Sequence, residues 1–210
     1  GLESMIVGEA EIQGQVKRAY ETALEQETTG PLTNRLFKAA LETGKRVRTE
    51  TAIGERQLTL PAVAVALAKE ELGSLNDRDV VIIGTGETGE LTARALADSG
   101  ARPLFVATRR RDRAVSLARR YGGSSVPFDE LPEALTRADI VVAATASPHL
   151  LVEARELAAV MAEREHRPLL LIDLAVPRDI DASVAQIAGV SLHDIDDLEA
   201  VIARNRRVRQ

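Results

Sequence analysis

The amino-acid sequence predicts an α/β fold in which a doubly wound parallel sheet is preceded by a helical segment. After residue 76, short and nearly all-apolar runs alternate with helical segments, which is the pattern of βαβ units whose strands are covered on both faces. A glycine-rich turn joins the first of these runs to the helix that follows it. Before residue 76, in contrast, apolar residues recur at helical spacing.

Three helices are expected in the first part of the chain. The first covers residues 9–24, and the break that follows ends in Pro31, a residue suited to the first turn of a helix. The second helix extends from there to Val47. The third covers residues 61–72, with Gly73 as its C-cap.

Strands and helices alternate in the second part. The strongest strand candidates are the apolar runs 80–83, 104–107, 140–144 and 169–172, and the weaker ones are 125–126 and 190–192. Helices are expected between them at about 89–99, 112–121, 129–137 and 153–163. The tail 196–209 also has a helical pattern and becomes strongly basic. Because the whole chain has a net charge of −5, a solvated helix face is favoured over a nucleic-acid contact.

Composition places the chain among ordinary globular proteins. It has 210 residues, a formal net charge of −5, 45% hydrophobic and 28% charged residues, which excludes a disordered or collagen-like chain. No apolar run approaches the roughly 18 residues of a membrane span, so no membrane partner is expected. Aromatic residues make up 2%, which argues against an RNA-binding surface of stacked rings.

The sequence contains no cysteine. This excludes disulfides, thiolate metal sites and a cysteine nucleophile within these residues, and it favours a cytoplasmic location. The three histidines, His149, His166 and His193, are not spaced as metal ligands, so no metal site is expected.

The glycine-rich turn is the clearest binding motif. Strand residues 80–83 run directly into Gly84-Thr85-Gly86-Glu87-Thr88-Gly89 and then into a helix, which is the strand–turn–helix context of a dinucleotide site. In such a Rossmann-type unit the three glycines allow a tight turn, a close approach to a pyrophosphate and close helix packing. The alternative is a glycine turn that serves packing alone.

The end of the second strand indicates which dinucleotide binds. NAD-specific sites place a carboxylate there, whereas this strand ends in Thr108-Arg109-Arg110 and has no carboxylate before Asp112. Arginine forks bind phosphate well, so the sequence predicts NADP(H), with the 2′-phosphate held by these residues. One or two of the arginines would then only be solvated residues at the start of a helix.

Two further strand ends are expected near the nicotinamide. Thr145 and Ser147 follow the strand at 140–144 and lie among small residues that leave room for the ribose and ring. Asp173 follows the next strand, where it serves either as a cap of the following turn or as a cofactor contact.

The N-terminal residues carry polar groups suited to a substrate. Taken alone, residues 1–17 indicate either a solvated loop with a capped helix or a polar binding segment offering Ser4, Glu9, Glu11 and Gln15. The stretch GLESMIVGEAEIQGQVK closely resembles the signature of glutamyl-tRNA reductases. The resemblance continues through residues 46–54, 83–87 and 171–181, so it covers essentially the whole chain.

This resemblance implies an enzyme that reduces glutamyl-tRNA(Glu) with NADPH to glutamate-1-semialdehyde for tetrapyrrole (porphyrin) biosynthesis. In that family a cysteine thiolate forms a thioester, which hydride from NADPH reduces. Ser4, Glu9 and Gln15 match substrate-contacting positions, and Glu11 stands where the family usually has Gln. The family is homodimeric through a C-terminal helical domain.

The resemblance also implies how the chain is divided. Residues 1–56 match the end of the catalytic domain, 57–76 a connecting helix and linker, 77–193 the NADPH domain, and 194–210 the start of the dimerisation helix. Since the family's cysteine precedes the Gly-Leu-Glu-Ser-Met motif, we expect a central fragment without catalytic residues of its own, which binds NADPH without turnover. The alternatives are an NADP-dependent dehydrogenase of the shikimate dehydrogenase type and a non-catalytic NADPH-binding module.

Overall fold

The computed structural model describes residues 10–51, 53, 59–107, 111–165, 167–198 and 200–201. The chain divides into two compact units, Gly1–Thr59 and Leu60–Gln210. Among the described residues, no helix is long and apolar enough to cross a membrane.

The first unit contains a pair of packed helices, α1 (Ala10–Glu25) and α2 (Pro31–Glu50). Pro31 occupies the first turn of α2, as the sequence predicts. The rings of Tyr20 and Phe37 stack with centroids 5.2 Å apart, and Tyr20 is the buried residue of this pair. No residue within α2 is buried, so these two helices bury few side chains.

The second unit is built on one parallel sheet. Its strands, as far as the chain is described, are β1 (Asp79–Ile83), β2 (Arg102–Ala107), β3 (Ser124–Pro127), β4 (Ile140–Ala143), β5 (Leu169–Asp173) and β6 (Val190–Asp194). The strand order is β3-β2-β1-β4-β5-β6, and every neighbouring pair is parallel. This arrangement confirms the predicted fold class.

Helices precede and connect these strands. They are α3 (Leu60–Leu72), α4 (Glu87–Ala97), α5 (Arg111–Arg120), α6 (Leu131–Arg137) and α7 (Ala154–Glu163), with short 3-10 helices at Phe128–Glu130 and Ala182–Gln186. Residues 195–198 and 200–201 are also helical, and the rest of the basic tail lies outside the described residues.

Helix α3 packs against α4 and belongs to the same compact unit as the sheet. Its buried face consists of Val63, Ala64, Leu67 and Ala68. The resemblance implied a connecting segment over residues 57–76 for this helix. An alanine- and valine-rich helix does not by itself reveal its packing partner. The functional division of the chain stays a prediction.

The core lies in the middle of the sheet. Every residue of β4 and β5 is buried, as are four of the five residues of β1, whereas β3 and β6 at the edges are only partly covered. Burial on both faces explains why the central strands are continuous apolar runs. The same topology brings the carboxyl ends of β1 and β4 side by side.

Candidate functional site

The candidate site is a cleft where the order of the strands reverses. Ile83 of β1 lies beside Ala143 of β4, so the residues that follow, Gly84 and Ala144, are neighbours. The main chain fixes this junction, because the amide of Ala144 donates to the carbonyl of Ile83 at 2.9 Å. Ligands of open parallel sheets bind at such a switch point. A cleft of about 400 Å³ opens here, lined by Gly84, Thr85, Gly86, Arg113, Phe128, Ala144, Thr145, Ala146, Ser147 and Leu151.

The glycines of the turn have different structural roles. Gly84 has a φ of +107°, and a Cβ there would lie 2.6 Å from the carbonyl oxygen of Ala144. Gly89 is buried, and its Cβ would lie 3.2 Å from the carbonyl oxygen of Gly84. Gly86 has a φ of −71°, and the nearest atom to its Cβ would be 3.7 Å away. The backbone therefore requires glycine at position 84, whereas at position 86 glycine leaves the cleft open.

The turn fits the pyrophosphate of a dinucleotide. Gly86 is the N-cap of α4 and, as a glycine, has no side chain to cap this helix end. A helix N-terminus that faces a cleft attracts anions through its amide groups and its dipole. The residues present thus suit the anionic centre of the cofactor that the sequence predicts.

Among the described residues that line the cleft, Arg113 is the cationic one. It lies on the first turns of α5, beyond the arginines that the sequence singled out. Glu90 of α4 accepts hydrogen bonds from Arg113 at 3.4 Å, from Arg120 at 2.7 Å and from the Tyr121 hydroxyl at 3.1 Å. These contacts hold α5 against α4 and keep Arg113 beside the glycine-rich turn.

The opposite wall of the cleft is the loop after β4. The Thr145 amide and hydroxyl donate to the two carboxylate oxygens of Asp179, at 2.8 and 2.6 Å. The Thr145 hydroxyl oxygen accepts from the amide of Ser147 at 3.0 Å, and the Ser147 hydroxyl donates to the carbonyl of His149 at 2.9 Å. Thr145 and Ser147 therefore lie together at the cleft, and Asp179, which the sequence did not select as a site residue, holds them.

Asp173 caps the turn after β5. Its carboxylate accepts from the amides of Ala175, Asp179 and Ile180, each at 3.0 Å. Burial raises the pKa of Asp173, although the hydrogen bonds from the three amides act in the opposite direction. Burial also raises the pKa of Asp179. Since all three partners of Asp173 are main-chain amides of its own turn, the geometry favours the cap over the cofactor contact.

Comparisons with known proteins identify the family. Residues 1–51 match the family described as "Glutamyl-tRNAGlu reductase, N-terminal domain", and residues 66–201 match "Shikimate / quinate 5-dehydrogenase". The glutamyl-tRNA reductase of Rubrobacter xylanophilus is 50% identical over 209 residues, which are 100% of this chain and 48% of that protein. Over its whole length, the chain is similar to glutamyl-tRNA reductases. Its residues 66–201 belong to the shikimate / quinate 5-dehydrogenase domain family.

Solved structures of glutamyl-tRNA reductases are similar to this chain. The enzyme from Methanopyrus kandleri matches with a TM-score of 0.68 at 42% identity, over 100% of this chain and 53% of that one. The nucleotide-binding domain from Thermoplasma volcanium matches with a TM-score of 0.57 over 72% of this chain and 96% of that one. At 18% identity this second match shows the fold alone. The chain spans about half the length of the curated relatives it matches.

The residues that match the glutamyl-tRNA reductase signature belong to the first unit. Gln15 is exposed on α1, whereas Ser4, Glu9 and the side chain of Glu11 lie outside the described residues. Thr108, Arg109 and Arg110 also lie outside them. The described part of the predicted cofactor set is the glycine-rich turn together with Thr145 and Ser147, and these line or adjoin one cleft.

A second cavity of about 570 Å³ lies at the opposite end of the strands. It is larger, but it is lined by residues at the amino ends of β1, β2 and β3, such as Asp79, Arg102 and Ser124. Parallel α/β sheets bind ligands at the carboxyl ends of their strands. The smaller cleft is therefore the functional candidate.

Proposed function

We propose that the chain carries the NADPH-binding domain for the reduction of glutamyl-tRNA(Glu) to glutamate-1-semialdehyde in tetrapyrrole biosynthesis. The observation that carries this proposal is the glycine-rich turn at the switch point, facing the loop of Thr145 and Ser147 across one cleft. The full-length match to proteins named glutamyl-tRNA reductase supports the reaction.

The topology supports one direction of binding across the cleft. The pyrophosphate would lie against Gly86 at the N-terminus of α4, and the adenosine half would extend over β2, towards Arg113. The nicotinamide half would then extend over β4, towards Thr145 and Ser147. NADPH supplies a hydride when bound, and these residues hold it and shape the space around its ring.

The first unit would provide substrate contacts through Ser4, Glu9 and Gln15, with the Glu11 carboxylate replacing the usual amide. The reaction implied by the family would begin with a thiolate that displaces tRNA from the glutamyl ester. Hydride from bound NADPH would then replace the thiolate at the thioester carbonyl, which gives the aldehyde and frees the thiol. A homodimer, which the resemblance implies, and a cytoplasmic location, which the absence of cysteine favours, belong to the same proposal.

The Arg113→Ala substitution is expected to weaken NADPH binding about tenfold to a hundredfold and to leave NADH binding nearly unchanged. The reason is that a guanidinium–phosphate hydrogen bond contributes about 1.5–3 kcal/mol, and NADH lacks the 2′-phosphate. Both dissociation constants would be measured by titrating the nicotinamide fluorescence. Arg109→Asp is also expected to weaken NADPH binding relative to NADH binding.

Arg119→Ala is the matched control for Arg113→Ala. Arg119 lies in the last turn of the same helix, is exposed, and does not line the cleft. Its substitution should leave both dissociation constants unchanged. If the ratio of the NADPH and NADH dissociation constants is identical in wild type, Arg113→Ala and Arg109→Asp, the 2′-phosphate is not recognised by the end of β2 and the start of α5.

The 210-residue chain supplied with glutamyl-tRNA and NADPH is expected to bind NADPH and to release no glutamate-1-semialdehyde. The reason is that the thioester requires a thiol and the sequence contains no cysteine. The measurement is trapping of the aldehyde, with shikimate and NADP⁺ as a second substrate pair. Semialdehyde formation would contradict the thioester route, and shikimate oxidation would favour the shikimate dehydrogenase alternative.

A further inference from the structure

Asp179 joins both ends of the loop that walls the cleft. Its carboxylate accepts from the amide and hydroxyl of Thr145 at the start of the loop. Its main-chain carbonyl accepts from the amides of Leu151 and Val152 at the end of the loop, at 2.6 and 3.1 Å. One residue thus fixes the entry and the exit of the segment that contains Ser147.

Asp179 is itself rigidly held. It is 0% exposed, and its amide donates to the carboxylate of Asp173 at the end of β5. Leu151 and Thr145 line the cleft, whereas Asp179 does not. A buried carboxylate away from the surface of a cleft acts on a ligand only through the groups that it holds.

We propose that Asp179 is a positioning residue that sets the nicotinamide half of the cleft by clamping the loop from Ala144 to Val152. This inference rests on the proposed NADPH site. The adenosine half would be bound by the glycine-rich turn and Arg113, and the Arg113 guanidinium donates to Glu90 of α4 rather than to Asp179. Loss of the clamp should therefore affect one half of the cofactor and spare the other.

The clamp requires a carboxylate. With asparagine at position 179, the amide oxygen still accepts from the Thr145 amide, but the NH₂ group then faces the Thr145 hydroxyl. That hydroxyl oxygen already accepts from the Ser147 amide, and its proton loses its acceptor. The short hydrogen bond from the Thr145 hydroxyl to the carboxylate is replaced by a weaker contact. Thr145, at the start of the loop, is then no longer held in place.

The test compares two ligands on the same variants. NADPH probes the whole site, and adenosine 2′,5′-bisphosphate probes the adenosine half alone; both would be titrated by calorimetry. Asp179→Asn is expected to weaken NADPH about tenfold and to change the bisphosphate affinity less than twofold. A role in stability alone would not separate the two ligands.

Two further variants complete the test. Asp181→Asn is the matched control, since Asp181 is partly exposed two residues further on and its carboxylate accepts from Ser183 and from the main-chain amide of Ala154 rather than from Thr145. It should change neither affinity. Thr145→Val removes the hydroxyl that Asp179 holds and should reproduce the selective loss, whereas Thr145→Ser keeps the hydroxyl and should restore NADPH affinity.

The outcomes separate the inference from the proposed function. If Asp179→Asn and Thr145→Val weaken both ligands equally, or neither ligand, Asp179 does not position the nicotinamide half. If Asp179→Asn does not fold, the Thr145 pair alone decides. If the wild-type chain binds neither NADPH nor the bisphosphate, the proposed cofactor site itself is wrong.

Discussion

The Gly86→Ala substitution is expected to lower NADPH affinity on the order of a hundredfold and to leave the fold intact. Residue 86 has a φ of −71°, and an added Cβ meets nothing closer than 3.7 Å. The free energy of unfolding should therefore change by less than about 1 kcal/mol. The methyl group, however, occupies the space through which the backbone approaches the pyrophosphate. Nicotinamide fluorescence and urea denaturation measure the two quantities.

Gly84→Ala provides the opposite result in the same turn. Residue 84 has a φ of +107°, and a backbone oxygen would lie 2.6 Å from the new Cβ. We therefore expect the free energy of unfolding to fall by about 3 kcal/mol. Position 84 thus tests the fold and position 86 tests the ligand. Normal NADPH affinity in a folded Gly86→Ala protein would show that no pyrophosphate lies against this turn.

The central sheet was predictable from the sequence because strands that are buried on both faces appear as short runs of apolar residues. β1, β4 and β5 are covered on both faces and consist almost entirely of aliphatic residues, so each is recognisable without its neighbours. β3 and β6 lie at the edges, where one side of the strand needs no apolar residue. Their weaker patterns therefore follow from their position in the sheet.

The sequence predicted the cleft residues that directly follow a strand, namely the glycine-rich turn after β1 and Thr145 and Ser147 after β4. The glycine-rich turn is a local motif, and its strand and helix flank it directly. Asp179 reaches Thr145 across 34 positions, and Arg113 reaches Glu90 across 23. No spacing rule links such pairs, because parallel strands with helical crossovers bring them together. The same topology decides the role of Asp173, whose amide partners become apparent only when its turn is built.

Replacing Arg164 by alanine is expected to destabilise the second unit by about 3 kcal/mol or more. Arg164 is 2% exposed at the end of α7, and its guanidinium donates to the carbonyls of Leu135, Thr136 and Pro168. Burial lowers the pKa of Arg164, but an arginine side chain stays charged at neutral pH. Truncation leaves these carbonyls without their donors, and each unpaired buried group costs about 1–3 kcal/mol.

Arg155→Ala is the matched control, because Arg155 lies on the exposed face of the same helix and its loss should cost less than about 0.5 kcal/mol. Arg164→Lys should recover only part of the loss, since a single ammonium cannot reproduce a planar fork that reaches two segments of the chain. Urea denaturation measures all three variants. An Arg164→Ala protein as stable as Arg155→Ala would show that the carbonyls at the end of α6 find other donors.

The carbonyls that Arg164 holds precede β4 and β5, at the end of the strands opposite the cleft. Any folded Arg164 variant should therefore keep its NADPH affinity. Arg164 therefore tests stability at the amino ends of the strands, away from the cofactor cleft.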